Sequence, residues 1–131
     1  MERVYIVDGH SVIFSTPELR EYHGAGKQGE VARNELIRTL TDFQDRNDVK
    51  VILVFDGQGR NNKPEPRQEM DIMVIYSRAR QTADSVIERL AAKYAERYDI
   101  NVVSNDRAVL DTVSSSGAHA MSVRSMWEVV D

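Results

Sequence analysis

Four aspartates stand where the chain passes out of an apolar run or into a helical pattern. VYIV runs into Asp8, VILVF runs into Asp56, INVVSN runs into Asp106, and Asp84 opens an amphipathic segment. In open parallel sheets, ligands bind just beyond the carboxyl ends of the strands. The pattern therefore predicts that these carboxylates meet at one edge of a sheet.

Four carboxylates at one edge need a counter-charge, because two of them about 5 Å apart repel by roughly 3 kcal/mol at an effective dielectric near 20. Oxygen ligands without cysteine suit Mg²⁺ or Mn²⁺ better than Zn²⁺. Such ions activate water and stabilise a phosphate during in-line displacement. The sequence thus predicts phosphodiester hydrolysis, with these catalytic metal ligands: Asp8, Asp56, Asp84 and Asp106.

Glu88 follows Asp84 by four residues on the same helix face and is a candidate further or outer ligand. Each aspartate taken alone is equally well explained as a turn former or as a partner of a helix dipole. The four together favour a metal site. Asp71 begins a predicted strand, so we expect it at the opposite edge.

Cationic residues surround two of the acids and are candidate phosphate contacts, which position nucleic acid without reading its sequence. Three lie in the loop after Asp56 and two precede Asp84: Arg60, Lys63, Arg67, Arg78 and Arg80. The alternative is a solvated loop, since two glutamates dilute the patch.

Several other polar residues near these positions have two readings. His10 either contacts phosphate or water at the site or packs beneath its loop. Ser11 either touches substrate or caps the next segment, and capping is favoured. His23 and His119 lack acidic partners at ligand spacing and are expected to be structural or exposed. Trp127 offers a base-stacking face, but its apolar helical stripe favours core packing.

The elements that position these residues alternate between strand and helix. Strands are predicted at 3–7, 50–55, 71–76 and 100–103, with a short one in GAHAM, and helices at 29–46, after a Thr82 cap, at 106–114 and at 122–130. The first helix has this apolar stripe: Val31, Leu36, Ile37, Leu40 and Phe43. Alternation of this kind implies right-handed crossovers and a mainly parallel sheet. We predict one domain over 1–131, a three-layer α/β/α sandwich.

Composition limits the possible classes of function. The 131 residues include no cysteine, which excludes a disulfide framework and a thiolate metal site. A net charge of −4 argues against a nucleic-acid coat protein but suits an acidic site that binds cations. The N-terminal apolar run is too short for a signal peptide or membrane span, so we expect a cytoplasmic protein without membrane association.

GAGKQG at 24–29 is not a nucleotide-binding loop. A P-loop needs a glycine where Glu21 stands and a serine or threonine where Gln28 stands. No nucleotide cofactor is therefore expected.

The motifs VYIVDGHSVI, VILVFDGQGR, YSRARQTAD and VVSNDRAV resemble the NYN group of PIN-like domains, particularly its bacterial YacP-type members. The resemblance covers nearly the whole chain, and the TAD-x₃-E and SND segments are its most specific parts. It implies a PIN-like fold and an Mg²⁺- or Mn²⁺-dependent endoribonuclease that acts on RNA, in a setting of mRNA or translating ribosomes. It also implies that the four aspartates form the site and that Ser104 and Asn105 shape the turn that presents Asp106. Asn105 is in addition a candidate contact with substrate.

One departure concerns the residues after the first acid. The family usually has Gly-Tyr-Asn there, whereas this chain has Gly9, His10 and Ser11. The 5′ nucleases of polymerases and flap endonucleases also use Asp-Gly-His, so a DNA hydrolase is an alternative. This chain lacks the length for their helical arch, which favours RNA.

Two alternatives come from other functional classes. An RNA- or ribosome-binding PIN-like module with little or no cleavage would keep the same fold. A receiver-type phosphoacceptor domain is also a parallel α/β fold, but it needs paired acids after the first strand and a lysine after the last. This chain has Asp8-Gly9 and no lysine beyond Lys93.

Overall fold

The computed structural model describes residues 1–22, 27–57, 72–78 and 80–131, and of residues 27 and 28 the backbone alone. Within these ranges the chain forms strands and helices in this order: β1 (Arg3–Asp8), α1 (Gly9–Ser15), α2 (Pro17–Arg20), α3 (Lys27–Arg46), β2 (Val49–Phe55), β3 (Met73–Tyr76), α4 (Ala83–Tyr94), β4 (Asp99–Val103), α5 (Arg107–Ser115), β5 (His119–Met121) and α6 (Val123–Val130).

The described strands form one sheet in the order β3-β2-β1-β4-β5, and every pairing in it is parallel. From β1 the chain builds outward through β2 and β3, and it then crosses to the other side of β1 to build β4 and β5. The topological switch point therefore lies between the carboxyl ends of β1 and β4, which is where such sheets bind ligands.

Two hydrophobic clusters cover the two faces of the sheet, which confirms the three-layer α/β/α prediction. On one face, α1, α2, α3 and α6 pack through residues such as Leu36, Leu40 and Met126. On the other face, α4 and α5 pack through Ile87 and Val113. Full burial of side chains of this kind contributes about 1.5–3 kcal/mol each. Two apolar faces of this kind explain why the strands read as continuous hydrophobic runs.

Most predicted elements are confirmed within one or two residues, and three differences carry information. The helices α1 and α2 were not predicted. Val31 does not belong to the buried stripe of α3, since it is 48% exposed and Ala32 is buried in its place. The third strand begins at Met73 rather than at residue 71, and Asp71 lies outside the described residues.

The Thr82 cap is confirmed, whereas the favoured cap at Ser11 is wrong, because Asp8 caps α1 and Ser11 lies within that helix. The Thr82 hydroxyl accepts a hydrogen bond from the Ser85 backbone N–H and caps α4. Trp127 packs against the larger hydrophobic cluster, and its ring N–H donates to the Thr16 hydroxyl at 2.9 Å. Among the described helices, none has the length and apolar character needed to cross a membrane.

Candidate active site at the switch point

The four predicted acids all lie at the carboxyl edge of the sheet. Asp8 is the last residue of β1, and Asp56 directly follows β2. Asp106 is the N-cap of α5, just beyond β4, and Asp84 is the second residue of α4, the helix that follows β3. The strand-end pattern thus predicted their common edge correctly, because all the strands run in the same direction.

Asp8 is the buried member of this set, with 5% of its surface exposed. One carboxylate oxygen, Oδ2, accepts hydrogen bonds from the Ser11 hydroxyl at 2.8 Å and from the Ser104 hydroxyl at 2.9 Å. The other, Oδ1, accepts from the Ser11 backbone N–H at 3.3 Å, so that Asp8 also caps α1. Hydroxyl donors hold the carboxylate in one orientation without neutralising its charge.

Ser104 links Asp8 to Asp106. It is fully buried, its hydroxyl donates to Asp8, and the same oxygen accepts the Asp106 backbone N–H at 3.0 Å. The register explains the contact: Val7 pairs with Val103, so the next residues along β1 and β4 lie side by side. Asp106 in turn accepts from two backbone N–H groups of α5 through Oδ1.

Asp56 is exposed and has a serine partner of its own. The Ser77 hydroxyl donates to Asp56 Oδ1 at 3.2 Å, and the same hydroxyl oxygen accepts the Gly57 backbone N–H at 3.0 Å. Ser77 is buried and follows β3 directly. A buried serine therefore stands beside Asp56, as one stands beside Asp8.

The pKa of Asp84 depends on how close the other acids are to it. Its pKa is raised above the ordinary aspartate value, first by partial burial and then by the charges of Asp8, Asp106 and Glu88. A hydrogen bond with Asp106 raises the pKa further. Like charges raise the pKa of a carboxyl group only when they lie near it. The structure therefore brings Asp84, Asp8, Asp106 and Glu88 into one electrostatic neighbourhood.

No lysine, arginine or histidine of the described ranges forms an ion pair with Asp8, Asp84 or Asp106. The donor set is thus oxygen-rich and negatively charged, which fits a hard divalent cation. The side chains as they stand do not complete such a site: among the described residues, no three Asp, Glu or His groups are arranged closely enough to hold a metal ion. Metal binding by these acids, and any role of Glu88 in it, stays a prediction.

The predicted substrate contacts fall into three groups. Arg60, Lys63 and Arg67 lie outside the described residues. Arg78 and Arg80 are exposed, and Arg80 has φ of 70°, a left-handed backbone conformation that is uncommon outside glycine. Their contact with phosphate stays a prediction.

Three further candidates are tied into the fold around Asp8. Asn105 donates to the Ser15 hydroxyl at 2.8 Å and accepts the Val123 N–H at 3.1 Å, so its amide joins α1 to α6. The Ser11 hydroxyl donates to Asp8, which caps α1 in place of Ser11, and contact of Ser11 with substrate stays a prediction. His10 is exposed and its ring stacks on Phe14.

His119, which was expected to be structural or exposed, is exposed, with its ring nitrogen 3.3 Å from Asp99. His23 lies outside the described residues.

Sequence reasoning missed the hydroxyl partners of the acids. The sequence pattern does not single out Ser77, and it places Ser104 only in the turn before Asp106. Their positions along the chain could have indicated this role. Ser77 directly follows β3, which neighbours β2, and Ser104 directly follows β4, which neighbours β1. Polar residues that follow strands at the acidic edge are candidates in their own right.

The parallel three-layer domain with an acidic switch point is that of a PIN-like fold, a class that the comparisons with known proteins support. The profile described as the YacP-like NYN domain matches residues 5–131, so the chain belongs to the YacP-like NYN domain family. This family is nuclease-like and its functions are RNA-related.

Three of the matches are to a protein of Bacillus subtilis, one by sequence and two by structure. The chain is 26% identical to the uncharacterized protein YacP of strain 168. The alignment has 129 residues and covers 98% of this chain and 75% of that protein. The crystal structure of Rae1 (YacP) aligns with a TM-score of 0.81 and 27% identity, over 97% of this chain and 72% of that one. A tryptophan-to-leucine mutant of the same protein aligns with a TM-score of 0.80 and 26% identity, over 97% and 73%.

Proposed function

We propose that the protein is a divalent-metal-dependent endoribonuclease that hydrolyses RNA phosphodiester bonds at the switch point. One observation carries the proposal: Asp8, Asp84 and Asp106 lie together at the carboxyl edge of the sheet, and no cation from the described part of the chain pairs with them. Partial burial, and then the charges of the other two acids, raise the pKa of Asp84. A fold keeps such repulsion when a ligand of opposite charge relieves it.

Mg²⁺ or Mn²⁺ bound by Asp8, Asp84 and Asp106, with Asp56 beside them, would supply an activated water and neutralise phosphate charge. The residues of the chain supply orientation. Ser11 and Ser104 fix one oxygen of Asp8. Thr82 caps the helix that carries Asp84, and Asp106 is held by the first N–H groups of α5. In the hydrolysis, the water oxygen forms a bond to phosphorus, the bond to the leaving ribose oxygen breaks, and that oxygen takes up a proton.

The test is cleavage of a single-stranded RNA by the wild type, Asp8→Asn and Asp84→Asn, each in Mg²⁺, in Mn²⁺ and in excess EDTA. We expect metal-dependent cleavage by the wild type and a loss of about 100-fold or more in each variant. A matched control is Glu96→Gln, an exposed acid beyond the end of α4, which should cleave at the wild-type rate. Cleavage by Asp8→Asn at that rate, or cleavage in EDTA, would contradict the proposal.

A second candidate function is an RNA-binding PIN-like module without cleavage. It is favoured by the absence, within the described ranges, of any acidic trio close enough to hold a metal ion. Wild-type protein that binds RNA but leaves it intact in every metal tested would assign this function instead.

The place in the cell where the protein encounters RNA is a separate part of the proposal. The resemblance to YacP-type proteins suggests mRNA on translating ribosomes and a cytoplasmic location. Co-sedimentation of the protein with ribosomes in a sucrose gradient tests this association. Recovery of the protein only in the unbound fractions would contradict its association with ribosomes.

A further inference from the structure

Three planar side chains form an exposed column on α1 and α2, beginning two residues after Asp8. The rings of His10 and Phe14 are stacked, with centroids 6.0 Å apart and planes inclined by 23°. The Arg20 guanidinium carbon lies 4.5 Å from the Phe14 ring centroid. We call these residues the α1 stack.

The local sequence explains why the column forms. His10 and Phe14 are four residues apart and so share one face of α1. Thr16 and Pro17 end that helix and begin α2, whose last residue is Arg20. The short turn between the helices returns the guanidinium to the ring.

The α1 stack is exposed to solvent although its centre is aromatic. His10 and Arg20 are exposed, and Phe14 is 46% exposed. Phe55 and Phe43, by contrast, are buried in the hydrophobic core. Phe14 instead carries a cation and an imidazole, both of which also stack on nucleobases.

The position of the α1 stack connects it to the acidic edge. Asp8 caps α1, and the helical rise places Phe14 about 9 Å along the chain direction from Asp8. Arg20, whose guanidinium lies on the Phe14 ring, adds a positive charge to this column, and such a charge suits a phosphate of RNA.

We propose that the α1 stack binds an unpaired base of the RNA on the helix that begins at Asp8, with Arg20 contributing to stacking and to phosphate contact. The choice of RNA as ligand rests on the proposed function. The inference deepens that function by naming a base-binding surface on α1 and α2. The base is unpaired, because a paired base is already stacked within its duplex.

The experiment measures binding of a fluorescent 12-nucleotide single-stranded RNA by anisotropy in EDTA, where the proposed cleavage is silent. Phe14→Leu keeps an apolar side chain but removes the ring, and we expect about ten-fold weaker binding. Phe14→Tyr keeps the ring and should bind within about two-fold of the wild type. Met73→Ala removes an exposed apolar side chain at the start of β3, the opposite edge of the sheet, and should leave binding unchanged.

A second substrate separates base stacking from general loss of structure. With an RNA of the same length that has abasic positions throughout, the wild type and Phe14→Leu should bind equally, because no base is left to stack. Arg20→Gln should lower the salt dependence of binding by about one unit of slope. Wild type that does not bind single-stranded RNA, a Phe14→Leu variant with unchanged affinity, or an equal loss on abasic RNA would each overturn the inference.

The outcome is independent of catalysis. If the wild type binds but does not cleave, and Phe14→Leu shows the expected loss, the proposed nuclease function fails while the inference stands. If the wild type cleaves and Phe14→Leu binds single-stranded RNA normally, the inference alone fails.

Discussion

Ser104 shows at the scale of single residues how the fold supports a buried acid. Its hydroxyl has no exposed surface, donates to Asp8 and accepts from the backbone of Asp106. Loss of a buried hydrogen-bonding group costs about 1–3 kcal/mol, more when a charged group loses its partner. Ser11 still donates to the same oxygen of Asp8, which limits the loss.

We therefore expect Ser104→Ala to lower the free energy of unfolding by about 1–2 kcal/mol. Urea unfolding measured in EDTA checks this value. Ser114→Ala is the matched control: its exposed hydroxyl donates only to Leu110 in its own helix, and the change should stay within about 0.5 kcal/mol. Equal effects of the two substitutions would show that the Ser104 hydroxyl does not support the acids.

The sequence predicts the role of a residue when that role depends on its neighbours along the chain. It does not predict a role that depends on residues that are close only in the folded structure. Asp8, Asp56 and Asp106 were located because each follows an apolar run. The bond from Ser104 to Asp8 joins residues 96 positions apart. It exists because β4 pairs with β1, and nothing in the local pattern of either strand states that pairing.

At the scale of elements, Gly9 explains why α1 starts directly at the end of β1. A Cβ atom at this position would lie 2.3 Å from a ring atom of Phe55. Phe55 is buried, and its ring stacks on Tyr76 with centroids 5.6 Å apart, so it has little room to move. The glycine after the first acid is thus needed for close packing between α1 and β2, and this requirement made the segment look like a turn.

Gly9→Ala should destabilise the protein by about 1–3 kcal/mol through overpacking. Phe55→Leu removes the ring that the new methyl group meets. In a double-mutant cycle, the double variant should therefore lose less unfolding free energy than the sum of the two single losses. Thermal and urea unfolding of the four proteins give the coupling energy. Full additivity would mean that Gly9 is required for another reason.

At the scale of the whole molecule, strand order determines which acids become neighbours. The alternation of strands and helices predicted a parallel sheet but did not predict the order β3-β2-β1-β4-β5. That order places β1 beside β4 and so joins Asp8 to Asp106. It places β2 on the other side of β1, where Asp56 accepts from Ser77, which follows β3. Sequence alone therefore predicted a common edge for the four acids but not the division among them.

The electrostatic cost of this neighbourhood predicts how stability depends on pH. The folded pKa of Asp84 is raised above its ordinary value of 3.8 by burial and by the charges of Asp8 and Asp106. The native state then binds more protons than the unfolded state just above pH 3.8, so the stability contributed by this group falls as pH rises through that window.

Asp84→Asn removes this cost, although it also loses a favourable interaction of about 0.3–1 kcal/mol with the start of α4. In EDTA at pH 7 we expect the variant to be more stable than the wild type by roughly 0.5–1 kcal/mol. The difference should shrink toward pH 3.5, below the ordinary pKa of 3.8, where most Asp84 carboxyl groups are protonated in both states. Millimolar Mg²⁺ or Mn²⁺ should narrow or reverse it, because ligand binding to the native state stabilises the wild type more. Urea unfolding between pH 3.5 and 7.5, with and without metal, checks both trends, and Glu96→Gln should follow the wild type throughout. A variant advantage that grows toward acid pH would show that the neighbouring charges do not oppose Asp84, and equal stabilisation of both proteins by metal would place the cation away from this acid.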